Sequence, residues 1–147
     1  MKSAVLLAAV AAIMLAPAAH AAGFKSVGAA PAILYDAPSE RGRKVFVAPR
    51  GMPVEVVLSY GEWTKVRDAS GDLSWVEAKA LDSRRHVLVN VPGAKVHSAP
   101  DEGGAVVFTV EKGVLLELSE PISSGWIRVR HRDGQGGYVR AADVWGD

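Results

Sequence analysis

The sequence contains no cysteine. Disulfides, the usual brace of small exported domains, are therefore excluded, and stability has to come from buried apolar surface. Thiol nucleophiles, cysteine-ligated zinc and iron–sulfur clusters are excluded as well, and with them thiol-dependent hydrolases and transpeptidases. Histidine is scarce: after residue 21 only His86, His97 and His131 remain, well separated along the chain. No HxH or HExxH pair and no acidic calcium loop is present, so no metal or other cofactor is expected. A G-x-S-x-G elbow and a phosphate-binding loop are also missing, and no enzyme is indicated.

Neither sign of charge is in real excess. The chain has 17 Lys+Arg against 16 Asp+Glu, and Lys2 is the only charge before Lys25. Without the first 21 residues the formal charge is zero. Nucleic-acid binding is driven by surplus Lys/Arg meeting phosphate, so nucleic acid is not an expected partner. Simple electrostatic attachment to anionic lipid is disfavoured for the same reason.

One apolar run stands out, Ala4 to Ala16, after Lys2 and before Pro17 and Ala19-His20-Ala21. A positive start, a short apolar core and an A-x-A site describe a secretory signal peptide over 1–21, cleaved after Ala21. The alternative, an uncleaved anchor, suffers from a run too short to span a bilayer comfortably. Ala22 follows the cut, so no lipid attachment is signalled, and no stable membrane insertion is expected after cleavage. The expected destination is a bacterial periplasm or the medium.

From Ala29 onward the pattern is β. Val54, Val56 and Leu58 alternate with Glu55, Val57 and Ser59, and Pro or Gly punctuates every few residues. Short strands with frequent turns predict a small all-β barrel or sandwich. No amphipathic helix is visible, though Val76 to Leu81 allows one short turn.

The chain also repeats itself. Ala37-Pro38, Val45-Phe46, Gly51 and Glu55 recur as Ala99-Pro100, Val107-Phe108, Gly113 and Glu117 at an offset of 62. Trp63, Val66, Arg67, Gly71, Val76 and Ala78 then recur as Trp126, Val129, Arg130, Gly134, Val139 and Ala141 at 63. The single insertion is expected in the loop Ser59–Gly61 of the first copy, which is Ser119–Gly125 in the second, because loops tolerate extra residues. Two modules follow, 28–82 and 88–146. The link Ser83-Arg84-Arg85-His86 is too short for a flexible spacer and predicts modules in a fixed relation. Each has under about 60 residues and no disulfide, so mutual packing would help both.

In the second module the ordered motifs are Val96-x-Ser98-Ala99-Pro100, Val106 to Gly113, Gly125-Trp126-Ile127-Arg128-Val129-Arg130 and Asp133-Gly134 to Tyr138-Val139. The first has Ala37-Pro38, Val45 to Gly51, Glu62 to Arg67 and Trp75-Val76. This set resembles the bacterial SH3-like domain family, often called SH3b, and more narrowly the small exported proteobacterial proteins built of little else. Glu62 and Ser74 stand where the family usually has Gly. The resemblance implies two tandem SH3-like, five-stranded, partly open barrels with a long first loop and a tight distal hairpin. It also implies a non-catalytic module that binds peptidoglycan or an envelope peptide. The alternative is a structural or adaptor protein for an envelope protein partner. The oligomeric state is not indicated.

The candidate ligand face follows from strand alternation. Thr64 and Val66 should point inward, leaving Trp63, Lys65 and Arg67 outward. Ile127 and Val129 should point inward, leaving Trp126, Arg128 and Arg130 outward. A Trp beside two cations can stack them, or offer a platform to a sugar or peptide. Alternatively each Trp covers the open end of its barrel or packs between the modules. Tyr60 and Tyr35 could extend a platform in the first copy; at an offset of 62 their counterparts are Ile122 and His97. Trp75 and Tyr138 are expected at the core edge. The basic run Arg41, Arg43, Lys44 faces Gly103, Gly104, Ala105 in the other copy, so the copies have diverged.

Overall fold

The computed structural model describes residues 23–147, apart from the side chains of residues 121–123. The expected signal segment lies outside the described residues. The first module runs β1 (Phe24–Val27), β2 (Ala32–Tyr35), β3 (Lys44–Ala48), β4 (Pro53–Tyr60), β5 (Trp63–Arg67), β6 (Leu73–Glu77) and β7 (Leu81–Asp82). The second runs β8 (His86–Val89), β9 (Ala94–His97), β10 (Val106–Val110), β11 (Leu115–Ser123), β12 (Trp126–Arg130), β13 (Gly136–Arg140) and β14 (Val144–Trp145). A single 3-10 turn precedes the last strand of each module, Ala78–Ala80 and Ala141–Asp143.

The sheet orders are β3-β2-β6-β5-β4-β1-β7 and β10-β9-β13-β12-β11-β8-β14. The second is the first with every strand advanced by seven, so the sequence repeat is a repeat of topology. The protein is thus all-β, two tandem SH3-like sheets that stay unclosed. Each has seven strands rather than five, because β1 and β7, and likewise β8 and β14, pair beside the long hairpin strand.

Each module has its own core. Val27, Ala32, Leu34, Ala48, Val54, Val66 and Val76 form the first; Val87, Val89, Ala94, Val96, Val110, Leu116, Ile127, Val129, Val139 and Val144 form the second. Val predominates, as expected where small barrels fill their interiors with β-branched side chains. Thr64 and Ile127 are buried with their neighbours Val66 and Val129, as alternation requires.

Alternation fails in β4. Val54 is buried, but Leu58 is 44% exposed. The pairing of β4 with β5 shifts between Val56 and Leu58, so Val57 is an extra residue that reverses the faces beyond it. The corresponding shift in β11 lies between Leu118 and Glu120. The insertion is also not in a loop. Tyr60 pairs with Trp63 and Ser123 with Trp126, so both turns have two residues, Gly61-Glu62 and Ser124-Gly125. The extra residue is taken up as a second irregularity of β11 between Glu120 and Ser123. Pro121 lies there, and proline is tolerated at such a break in the ladder. The structural counterpart of Tyr60 is therefore Ser123 rather than Ile122.

The modules are packed together. Phe24 meets Trp145 edge-on with centroids 5.0 Å apart. The Arg85 guanidinium lies 5.6 Å from the Phe24 centroid and donates to the Gly146 carbonyl at 2.7 Å. The His86 amide donates to Ser26 Oγ at 3.1 Å. Gly146 has φ +113°, and a Cβ there would stand 2.8 Å from Pro53 Cβ, so this approach of the two modules requires glycine.

Candidate functional site

Cross-strand pairing decides how the outward residues meet. Lys65 is directly opposite Trp75, and its Nζ lies 5.9 Å from that ring's centroid. Tyr60 approaches the same ring at 6.4 Å and is itself 66% exposed. Arg67 is opposite Glu55 and bonds to it at 2.9 Å. In the second module Arg128 lies 6.0 Å from the Tyr138 centroid and pairs with Glu120 at 2.8 Å, while Arg130 pairs with Glu117 at 3.1 Å. The cations expected to stack on Trp63 and Trp126 thus sit elsewhere. Directly opposed residues are about 5 Å apart, closer than residues two apart on one strand, so the neighbouring strand takes them.

Trp63 stands apart from those pairs, at the edge of a cleft. It is half-buried and packs edge-on against buried Tyr35, 5.4 Å between centroids. On one side is the β2–β3 loop with Pro38, Ser39, Glu40 and Arg41; on the other are Glu77 and the Ala78–Lys79 turn, with Glu62 beside the ring. The cleft encloses about 770 Å³. Its loop is held in shape by its own bonds. Asp36 Oδ1 accepts from the Arg43 amide at 2.8 Å, the Asp36 amide donates to the Arg43 carbonyl at 3.0 Å, and Gly42 donates to Ser39 at 2.9 Å. Arg43 is also ion-paired to Asp36 at 3.6 Å, so of the basic run only Arg41 lines the cleft.

The cleft is acidic. Glu77 is ion-paired at 3.1 Å to Lys79, whose side chain is 84% exposed at the rim. That hydrogen bond holds the Glu77 carboxyl below the usual carboxylate range.

The second module arranges the same place differently. Trp126 packs edge-on against buried His97 at 5.2 Å. His97 Nδ1 lies 2.9 Å from the Gly104 carbonyl, which can only accept, so the proton is on Nδ1. Arg140 replaces Glu77, lies with its guanidinium carbon 6.0 Å from the Trp126 centroid, and is ion-paired to Glu102, the counterpart of Glu40.

A larger groove of about 1150 Å³ lies between the modules, rimmed by Arg50, Arg84, Arg130 and Arg132 with Asp82 and Glu117. Among the described residues no Phe, Tyr or Trp lines it. Among the described residues no group of three or more His, Asp or Glu could hold a metal ion.

A family model described as bacterial SH3 domain matches residues 28–83 and again residues 90–146. The chain belongs to the bacterial SH3 domain family. Each match covers its sheet apart from the first strand, β1 or β8, and the family is one of binding domains. No curated protein matches the chain significantly. Among solved structures the chain is similar to NlpC1 from Trichomonas vaginalis, at 15% identity and TM-score 0.39, over 85% of this chain and 46% of that one. NlpC2 from the same organism gives 13% identity and TM-score 0.39, over 85% and 48%. An NLPC/P60 family protein from Bacillus cereus ATCC 10987 gives 20% identity and TM-score 0.38, over 83% and 55%. The chain spans about half the length of these proteins.

The site residues that sequence reasoning passed over are Glu40, Glu62, Glu77 and Lys79, with Glu102 and Arg140 in the second module. Their signal lay in the repeat itself: at an offset of 63, Glu77 faces Arg140, a reversal of charge beside matched Trp residues.

Proposed function

We propose that the protein is an exported, non-catalytic binding protein of the cell envelope whose first SH3 module holds the peptide portion of peptidoglycan. The observation that carries this reading is the Trp63 cleft between the β2–β3 loop and the 78–80 turn. It offers a flat, half-buried aromatic ring between polar walls, the kind of concave site that orients a ligand through a few polar groups. Membership of a binding-domain family and the absence of cysteine support a role without catalysis. Export rests on the signal segment over 1–21.

The test is retention of residues 22–147 by purified cell-wall sacculi. Wild-type protein is expected in the pellet, and Trp63→Ala in the supernatant in larger part. Trp126→Ala is expected to pellet like wild type. Wild-type protein that stays soluble at every sacculus concentration sinks the wall-binding reading.

The adaptor reading is favoured by one observation. Edge strand β3 leaves Val45, Phe46 and Val47 more than two-fifths exposed. Such an edge can accept a strand from a partner protein. Retention of the protein by sacculi stripped of protein counts against it.

A further inference from the structure

The two modules are the same device in two electrostatic states. In the second, the chain supplies its own cation to the Trp: Arg140 lies over Trp126 and is paired across to Glu102. In the first, the aromatic ring and the carboxylate of that arrangement are present and no cation lies over the ring; Arg41 and Lys79 stand in the walls of the cleft. Trp63 replaces Trp126, Glu40 replaces Glu102, and position 140 has become Glu77, with Glu62 where the second module has Gly125. Glu40 and Glu77 line the same cleft as Trp63, so two carboxylates share a site with an aromatic face. Among the described residues the cations over aromatic rings are Lys65, Arg85, Arg128 and Arg140, on Trp75, Phe24, Tyr138 and Trp126; Trp63 carries none. Lys79 meets Glu77 from the rim, and among the described residues Glu40 makes no ion pair.

We propose that the first module's cleft binds a cationic side chain of its ligand, a guanidinium or primary ammonium seated between Trp63, Glu40 and Glu77, and that Arg140 occupies the matching cleft of the second module as a built-in substitute. The second module therefore shows, within the same molecule, how the first is filled. A cation against an aromatic face with a carboxylate partner gains from the ring quadrupole and from a charge-assisted hydrogen bond. The second cleft refuses the same ligand, because Arg140 would have to leave both Trp126 and Glu102 first. Binding is consequently one-sided, and the ligand's charge sets its specificity. The inference rests on the reading of the Trp63 cleft as the ligand site.

The experiment is an NMR titration that follows the indole N–H signals of the four Trp residues in residues 22–147, assigned by single Trp→Phe variants. The probes are Nα-acetyl-arginine amide, Nα-acetyl-lysine amide and Nα-acetyl-citrulline amide, the last having arginine's shape without its charge. The Trp63 signal is expected to shift with the two cations and not with citrulline, while Trp126 stays still. Glu77→Arg should weaken the Trp63 response about tenfold, the loss of one partly desolvated cation–aromatic contact. Arg140→Glu should make Trp126 respond as Trp63 does. Unchanged signal dispersion in each variant shows that its fold survives. Equal response to citrulline and arginine, or no response of Trp63 to any probe, overturns the cation site even where sacculi retain the protein. A charge-selective response without sacculus retention keeps the cation site and removes the cell wall as its source.

Discussion

Single residues decide how closely the strands approach. A Cβ on Gly137 would lie 2.5 Å from the His97 carbonyl oxygen and 2.8 Å from Val96 Cγ1. Backbone oxygen cannot move aside, so Gly137→Ala has to spread β13 from β9. The expected cost is about 1–3 kcal/mol, the usual range for overpacking, read as a lower urea midpoint with unchanged slope. Ser74, the counterpart in the first module, is buried in a sheet that already accommodates a side chain. Ser74→Ala should therefore change stability by less than about 1 kcal/mol. The departure from glycine at Ser74 was readable in the sequence. That Gly137 is obligatory was not, because strand separation is a tertiary quantity. In the same way Trp63 and Trp126 were readable as paired positions, whereas the partners of Lys65 and Arg128 depended on which strand lay opposite.

At the scale of elements, the β2–β3 loop positions one wall of the cleft, and Asp36 holds that loop. Its carboxylate accepts the Arg43 amide at 2.8 Å and lies 3.6 Å from the Arg43 side chain. Asp36→Ala is expected to cost about 1 kcal/mol, the net worth of one such hydrogen bond, because both groups are exposed and water can replace it. The distinctive readout is faster hydrogen exchange at the Arg43 amide, with the β12–β13 amides unchanged. Hydrophobic alternation predicted the strands and their inward Thr64, Val66, Ile127 and Val129. It misplaced Leu58, because a bulge inserts one residue without leaving a pattern of its own. It also assigned the extra residue of the second copy to a loop. The two hairpin turns are equal in length, and the strand absorbs the difference.

At the scale of the molecule, the modules share an interface that the short link only suggested. Its aromatic contact, Phe24 with Trp145, joins residues far apart in sequence with no matching motif to reveal them. Trp145→Ala is expected to remove about 1–3 kcal/mol and to split thermal unfolding into two transitions, one per core. His86 sits in the same region, and burial, opposed in part by Glu117, lowers its pKa from the usual 6.5. The Arg84 backbone also opposes the shift, while the charges of Arg84 and Arg50 support it. The unfolded chain then binds a proton before the folded one does as pH falls. Stability is fully present above about pH 6.5 and is lost as pH falls toward the folded pKa. Melting temperature should drop between pH 7.5 and 5, and His86→Gln should flatten that part of the profile.

The asymmetry of the two clefts is the centre of the account, and it belongs to the whole molecule because neither module reveals it alone. The most direct measurement is a backbone amide map of residues 22–147 titrated with soluble peptide fragments of peptidoglycan. The prediction is that shifts concentrate at residues 38–41, 62–63 and 77–79, with residues 100–103 and 140–142 unmoved. Equal shifts in both modules, or shifts confined to Arg50, Arg84 and Arg132 in the groove between them, would contradict it.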